Sequence, residues 1–153
     1  MASTLMMGAN PWAVIRHLGS KEHWWIDDAS LRVPLPVRIL GSGGFGVVVR
    51  ALLHGQAVAA KTFLDATEGN EAKNFEAFLA ELRAIRHVRH PHVVSFFGAT
   101  ADADRRSITL VYELISGAPL NVYVTARPRD AMHRFQLVHQ MCAALCYLHA
   151  QRP

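Results

Sequence analysis

Glycines at Gly41, Gly43 and Gly46 stand directly before a run of β-branched residues, and Lys61 lies fifteen positions after the last of them. The stretch reads Gly41-Ser42-Gly43-Gly44-Phe45-Gly46-Val47-Val48. Without a Cβ, backbone N–H groups in such a loop can approach an anion closely. The G-x-G-x-x-G spacing is shared in part by three nucleotide-binding architectures, and the residues after the loop decide among them. A Walker-type P-loop needs Lys-Ser or Lys-Thr directly after Gly46, where this chain has Val47-Val48. A dinucleotide-binding fold needs a helix opening at the third glycine. Val47, Val48 and Val49 favour a strand instead. His54-Gly55 marks a turn, and Gln56 to Thr62 reads as the next strand, carrying Val58-Ala59-Ala60-Lys61. The loop therefore belongs to a β-meander, which by itself also allows a glycine-rich hairpin in some other small sheet.

Composition narrows the class. Of 153 residues, 51% are apolar and 18% charged, which describes a globular chain of one ordinary domain. The formal charge is +4, and thirteen of the sixteen cationic side chains are arginines spread along the sequence. No basic run is interleaved with aromatics, so nucleic acid is not an expected partner. Cys142 and Cys146 are the only cysteines, and the first residues show no secretory pattern. Position 2 is Ala, not the Gly of an N-myristoylation signal. No apolar stretch approaches the ~20 residues of a membrane span. The expectation is a cytoplasmic protein without membrane attachment.

Residues 1–21 carry no usable periodicity and are expected to form a disordered or weakly ordered extension. Trp24-Trp25 reads as surface covering for a domain face. Pro34 and Pro36 lead into a strand at Val37-Arg38-Ile39-Leu40. After a polar loop, with Asn70 as helix N-cap, Phe75, Phe78, Leu79, Leu82 and Ile85 fall at intervals of three and four. That is one apolar helical stripe, and Glu81 lies along its edge. Arg83, Arg86, Arg89, His87 and His90 near its end read as a solvated face at the negative helix terminus. Ser95 to Thr100 and Ser107 to Leu114 read as two further strands. A short helix over Ala118 to Arg127 is broken by Pro128, and Asp130 opens a longer one to Ala150. His139, Cys142, Cys146 and His149 share one side of that helix. A single straight helix supplies few ligands to one metal, so core packing of the cysteines is the expected role.

The arrangement resembles the amino-terminal lobe of protein kinases. The family's glycine-rich loop reads here as Gly41-x-Gly43-x-x-Gly46-x-Val48, and its Val-Ala-Ile-Lys strand as Val58-Ala59-Ala60-Lys61. Glu81 matches the C-helix glutamate, and Arg89-His90-Pro91-His92-Val93-Val94 the His-Pro-x-Ile-Val phrase after it. Leu110-Val111-Tyr112-Glu113-Leu114-Ile115-Ser116-Gly117 is similar to the hinge, and Leu145-Cys146-Tyr147-Leu148-His149 to the end of the E-helix. Trp24-x-Ile26 and His92-Val93-Val94-x-Phe96-Phe97-Gly98 look most like the tyrosine-kinase-like group of serine/threonine kinases.

This resemblance implies an α+β fold, a five-stranded antiparallel sheet with one C-helix over residues 22–115. Residues 116–153 would hold the hinge exit, D-helix and E-helix of an incomplete second lobe. It also implies that Gly41, Ser42, Gly43, Gly44, Phe45 and Gly46 cover the phosphates of ATP. Lys61 would reach the α- and β-phosphates, held by Glu81. Leu40, Val48 and Ala59 would form the apolar ceiling of the base. Tyr112 would be the gatekeeper, and the backbone of Glu113 and Ile115 would bond the adenine. The family's His-Arg-Asp and Asp-Phe-Gly motifs do not occur downstream of the hinge in these residues. The chain is therefore expected to be the ATP-binding portion of a kinase, inactive alone. Its catalytic base is absent, and magnesium and a protein substrate or scaffold are expected only with the complete parent. The alternative is a non-catalytic kinase-like interaction module or pseudokinase fragment. Without the rest of the second lobe, the last helix is expected to expose an apolar patch.

Overall fold

The structure, a computed structural model, describes residues 11–43, 46–63, 71–102, 107–126 and 131–151. The chain divides into two units, one of Met1–His87 with Phe96–Leu114 and one of Val88–Ser95 with Ile115–Pro153.

In the first unit the β-branched runs pair as a single antiparallel sheet. Its strands are β1 (Leu31–Arg32), β2 (Ile39–Gly43), β3 (Gly46–Leu53), β4 (Gln56–Phe63), β5 (Phe96–Asp102) and β6 (Ser107–Glu113). Their order is β1-β3-β4-β6-β5, with β2 also paired to β3. Strand β3 is shared lengthwise: Val47 to Val49 face β2, while Leu52 and Leu53 face β1. The β3–β4 hairpin closes through His54 and Gly55, at φ 48° and 84°. Two successive residues with positive φ are what a two-residue primed turn requires. The α+β class and the antiparallel sheet agree with the sequence reading. The sixth strand, β1, is only two residues long and leaves no periodic trace in the sequence. The strand expected over Val37 to Leu40 runs instead from Ile39 to Gly43, because the glycine segment itself pairs with β3.

Helix α2 (Glu71–Ile85) uses the predicted stripe: Phe78 and Leu82 are buried, and Leu79 and Ile85 pack beside them. They join Phe63, Phe96, Ala99, Ile108 and Leu110 in one cluster. A second cluster gathers Ile26, Ala51, Val58, Ala60 and Val111. Residues alternate between the clusters along each strand, Phe63 belonging to the first and Val58 and Ala60 to the second. The two clusters are thus the two faces of the sheet. Each fully buried Phe or Leu stabilises the fold by ~1.5–3 kcal/mol relative to exposure.

The amino-terminal segment departs from expectation. Pro11–Lys21 is a helix, α1, and its Ile15 lies buried in the cluster of α2. Residues 1–10 lie outside the described residues. Trp24 is no surface cover either. It is buried, its ring lies against Gly19, and its indole N–H donates to Glu22 Oε2 at 2.8 Å. Arg86, read from sequence as part of a solvated face, donates through Nη1 to the same carboxylate. Trp24 and Ile26 also exchange backbone hydrogen bonds with Ala99 of β5. These partners are distant in sequence, so neither propensity nor periodicity could announce them.

In the second unit α3 (Leu120–Ala126) and α4 (Ala131–Ala150) lie close to their predicted spans. Asn70 and Asp130, the predicted helix caps, fall outside the described residues. The Tyr147 hydroxyl accepts from the Arg89 backbone N–H at 2.9 Å, and His90 stacks on its ring. Ala144 is the one buried residue of α4. Cys142 and Cys146 are exposed, which corrects the expectation that they pack in a core. Because α4 is apolar on most of its circumference, an apolar residue alone does not reveal which arc is covered. No helix among the described residues is long and apolar enough to cross a membrane.

Candidate functional site

Strand register brings the site residues of the first unit together. Val48 stands opposite Lys61, and Ala59 opposite Tyr112. Directly opposed residues share a face of an antiparallel sheet, as do residues two apart on one strand. Val48, Ala59, Lys61 and Tyr112 therefore lie on one face, that of the α2 cluster.

The glycine loop is a hairpin whose strands are β2 and β3. Gly41 pairs with Val48, Ser42 with Val47 and Gly43 with Gly46. Gly44 and Phe45, at its tip, lie outside the described residues. The glycines do not serve one purpose. A Cβ at Gly41 or Gly43 would meet no described atom within 4 Å. Those positions leave backbone open to an approaching group. At Gly46, with φ 131°, a Cβ would run into the carbonyl oxygen of Thr62, so glycine there lets β4 come close. Leu40 sits at the irregularity in the β2–β3 pairing and is exposed.

Lys61 Nζ donates to Glu81 Oε2 at 2.5 Å. The pair is partly solvated, with 25% and 31% of the two side chains exposed. The ammonium also stands 4.9 Å from the centroid of the Phe63 ring, within cation–π range. Glu81 is brought there by α2, which Phe78 and Leu82 seat on the sheet. The second oxygen, Oε1, accepts from the Tyr112 hydroxyl at 2.6 Å. Burial, and then the hydrogen bond and charge of Glu81, raise the Tyr112 pKa well above the ordinary phenol value. Glu113 closes β6 opposite Val58. Ile115 is exposed and belongs to the second unit.

Sequence reasoning did not foresee the contact of Tyr112 with Glu81, nor Phe63 beneath the ammonium. The second was within reach, since Phe63 stands two residues beyond Lys61 on a strand. The first joins residues 31 apart, on elements whose relative placement the sequence does not state.

The chemistry of this face is a cation fixed beside exposed backbone, suited to an anionic group such as a polyphosphate. The residues fit a nucleoside triphosphate: open backbone at Gly41 and Gly43, a fixed ammonium at Lys61, and apolar Val48 and Ala59 on the same face. They do not fit a metal ion in the same way. No group of three or more His, Cys, Asp or Glu among the described residues could hold one.

Fold and site together have the layout of the amino-terminal lobe of a protein kinase domain. Residues 36–152 match the family model described as protein tyrosine and serine/threonine kinase. The chain belongs to that family, whose members generally use ATP and Mg²⁺ and act on protein substrates. It is 42% identical over 86 residues to the receptor protein kinase WSS1 of Oryza sativa subsp. japonica, covering 56% of this chain and 9% of that protein. It is 34% identical over 117 residues to the leaf rust 10 disease-resistance locus receptor-like protein kinase-like 1.3 of Arabidopsis thaliana (72% and 16% covered). It is 30% identical over 117 residues to the serine/threonine-protein kinase CTR1 of Arabidopsis thaliana (74% and 14% covered). The chain thus spans well under a fifth of the length of these relatives. The likeness to receptor-like and serine/threonine kinases agrees with the group suggested by Trp24-x-Ile26 and His92 to Gly98.

Proposed function

We propose that this chain is the ATP-binding portion of a serine/threonine protein kinase. Gly41, Ser42, Gly43 and Gly46 cover the phosphates, and Lys61 contacts the α- and β-phosphates while Glu81 holds its ammonium. Leu40, Val48 and Ala59 cover the base, Tyr112 borders it, and the backbone of Glu113 bonds the adenine edge. The observation that carries this reading is the 2.5 Å Lys61–Glu81 pair on the same sheet face as Val48 and Ala59. A charge held in place before the ligand arrives loses little freedom on binding, which favours the phosphate over bulk anions. The 153 residues contain neither His-Arg-Asp nor Asp-Phe-Gly after the hinge segment, so the chain by itself binds nucleotide without transferring phosphate.

Titration of the folded chain with a fluorescent ATP analogue tests this. Saturable binding is expected, weakened about tenfold or more by Lys61→Met, since a charge-assisted contact is worth ~1.5–3 kcal/mol. Absence of binding by well-folded protein refutes the nucleotide reading. Phosphate transfer to a generic protein substrate by the purified chain refutes its incompetence alone.

A further inference from the structure

The face of the sheet turned away from α2 carries a row of threonines. Thr62 on β4 stands opposite Thr109 on β6, and Thr109 opposite Thr100 on β5. Directly opposed residues share a face, so the three side chains stand abreast. Thr62 follows Lys61 on the strand, which puts it on the other side of the sheet from the ammonium. Ala60, two residues away, belongs to the second core cluster and fixes which face this is. Thr62 and Thr109 satisfy each other, Oγ1 to Oγ1 at 3.0 Å. Thr100 has no such arrangement. It is 3% exposed, and its Oγ1 finds no hydrogen-bond partner among the described residues. A buried hydroxyl left unbonded costs free energy that valine, of nearly the same shape, does not.

All three threonines line a cavity of about 390 Å³ within the first unit. That volume admits a small organic molecule and far exceeds the room one water needs. Ala60, Leu31 and Val33 give it apolar surface, and Asp28 and Asp102 give it carboxylates. The described lining residues include no lysine, arginine or histidine. Such a lining repels anions, so it is no second phosphate site. Hydroxyl and carboxylate oxygens are acceptors, and an ammonium brings three N–H donors and no acceptor of its own. Its bond to a carboxylate is of the short, strong kind.

We propose that this outer face binds an aliphatic ammonium ion, with Thr100 Oγ1 as an acceptor and Asp28 as the counter-charge. The methylenes of the ligand lie against Ala60, Leu31 and Val33. A free alkylamine and the lysine side chain of a protein partner share this chemistry. The site uses none of the residues assigned to nucleotide, so it stands or falls separately from that reading.

The test is a titration of the 153-residue chain with pentylamine, followed through the threonine methyl signals by ¹³C NMR. Saturable shifts at Thr62, Thr100 and Thr109 are expected; no saturable shift at these methyls overturns the proposal. Thr100→Val and Asp28→Asn are each expected to weaken the amine about tenfold, read at the methyls of Thr62 and Thr109. Thr100→Val is also expected to raise the urea midpoint of the ligand-free chain, because it removes an unbonded hydroxyl. Unchanged affinity or a lower midpoint in that variant overturns the role of Thr100. Pentanol has the same alkyl chain without the charge, and equal binding of pentanol overturns ammonium recognition. Nα-acetyl-lysine methylamide separates the two sources. Tighter binding than pentylamine points to a partner's lysine and weaker binding to a free amine, and either supports the site.

Discussion

Helices α2 and α4 are both rich in apolar residues, yet they meet different fates. On α2, Phe78 is fully buried and Leu82 nearly so, against a sheet whose strands supply Phe63, Phe96 and Leu110. On α4, Phe135 is 66% exposed and Leu145 50%, with Met132, Val138, Met141 and Leu148 also in solvent. The difference is one of patterning. The apolar residues of α2 fall on one stripe, which can seat on one surface, and its other face carries charge. Those of α4 are spread around its circumference, so no single contact could cover them. Apolar content argues for burial; only an apolar stripe specifies against what.

The comparison can be broken from the α2 side first. Phe78→Ala is expected to destabilise the first unit by ~3–5 kcal/mol, whereas Phe135→Ala should lie within ~0.5 kcal/mol of wild type. Urea unfolding of both variants measures it; equal losses would mean α4 is packed after all. Next in size is Gly46→Ala. The positive φ and the nearby Thr62 carbonyl are expected to cost ~1 kcal/mol or more, visible as a lower urea midpoint. The link between Glu22 and Arg86 is smaller. Arg86→Ala should lose at most ~1 kcal/mol, and less at high salt, because the pair is partly exposed.

Glu22 also gives this region a pH signature. The Trp24 indole hydrogen bond is the largest cause holding its pKa below the ordinary glutamate value; burial opposes it, and the charge and hydrogen bond of Arg86 add to the lowering. A lowered folded-state pKa contributes stability that is present above the unfolded value and lost as pH falls through the folded one. Urea midpoints should therefore fall on acidification below about pH 4.5, and Glu22→Gln should remove part of that slope. Smallest in free energy is the pair Phe135→Ser and Leu145→Ser. These should leave the unfolding midpoint nearly unchanged while reducing light scattering at high concentration, since an exposed apolar patch favours association.

Much of the first unit is legible in the sequence because its signals are local. The meander follows from the β-branched runs around His54-Gly55, and the face of α2 from intervals of three and four between Phe78 and Ile85. The approach of Lys61 to Glu81 comes from strand alternation, a helix edge and a family phrase at the right spacing. The hidden features depend on distant partners. Trp24 reads as a surface residue until Gly19 and the α2 cluster are in place around it. Ile15 looks like part of a featureless leader until the sheet exists. Tyr112 can be assigned to the end of a strand, but its hydroxyl finds Glu81 only through the placement of a helix. Cys142 and Cys146 show the reverse failure: a small apolar residue type does not specify a location.

The backbone exchange between Trp24, Ile26 and Ala99 has a bearing on how the molecule meets copies of itself. Strand β5 is the last in the sheet, and its outer row of amides and carbonyls could template another chain's strand. Ala99 donates to the Trp24 carbonyl at 2.8 Å and accepts from the Ile26 N–H at 2.9 Å, which takes up both groups at the middle of that edge. A protein trimmed ahead of Asp27 would keep the glycine loop, Lys61 and Glu81, but offer a raw edge. Fibril-forming or strand-swapped assembly should then begin at β5, making the amino-terminal segment as much a guard against polymerisation as a part of the core.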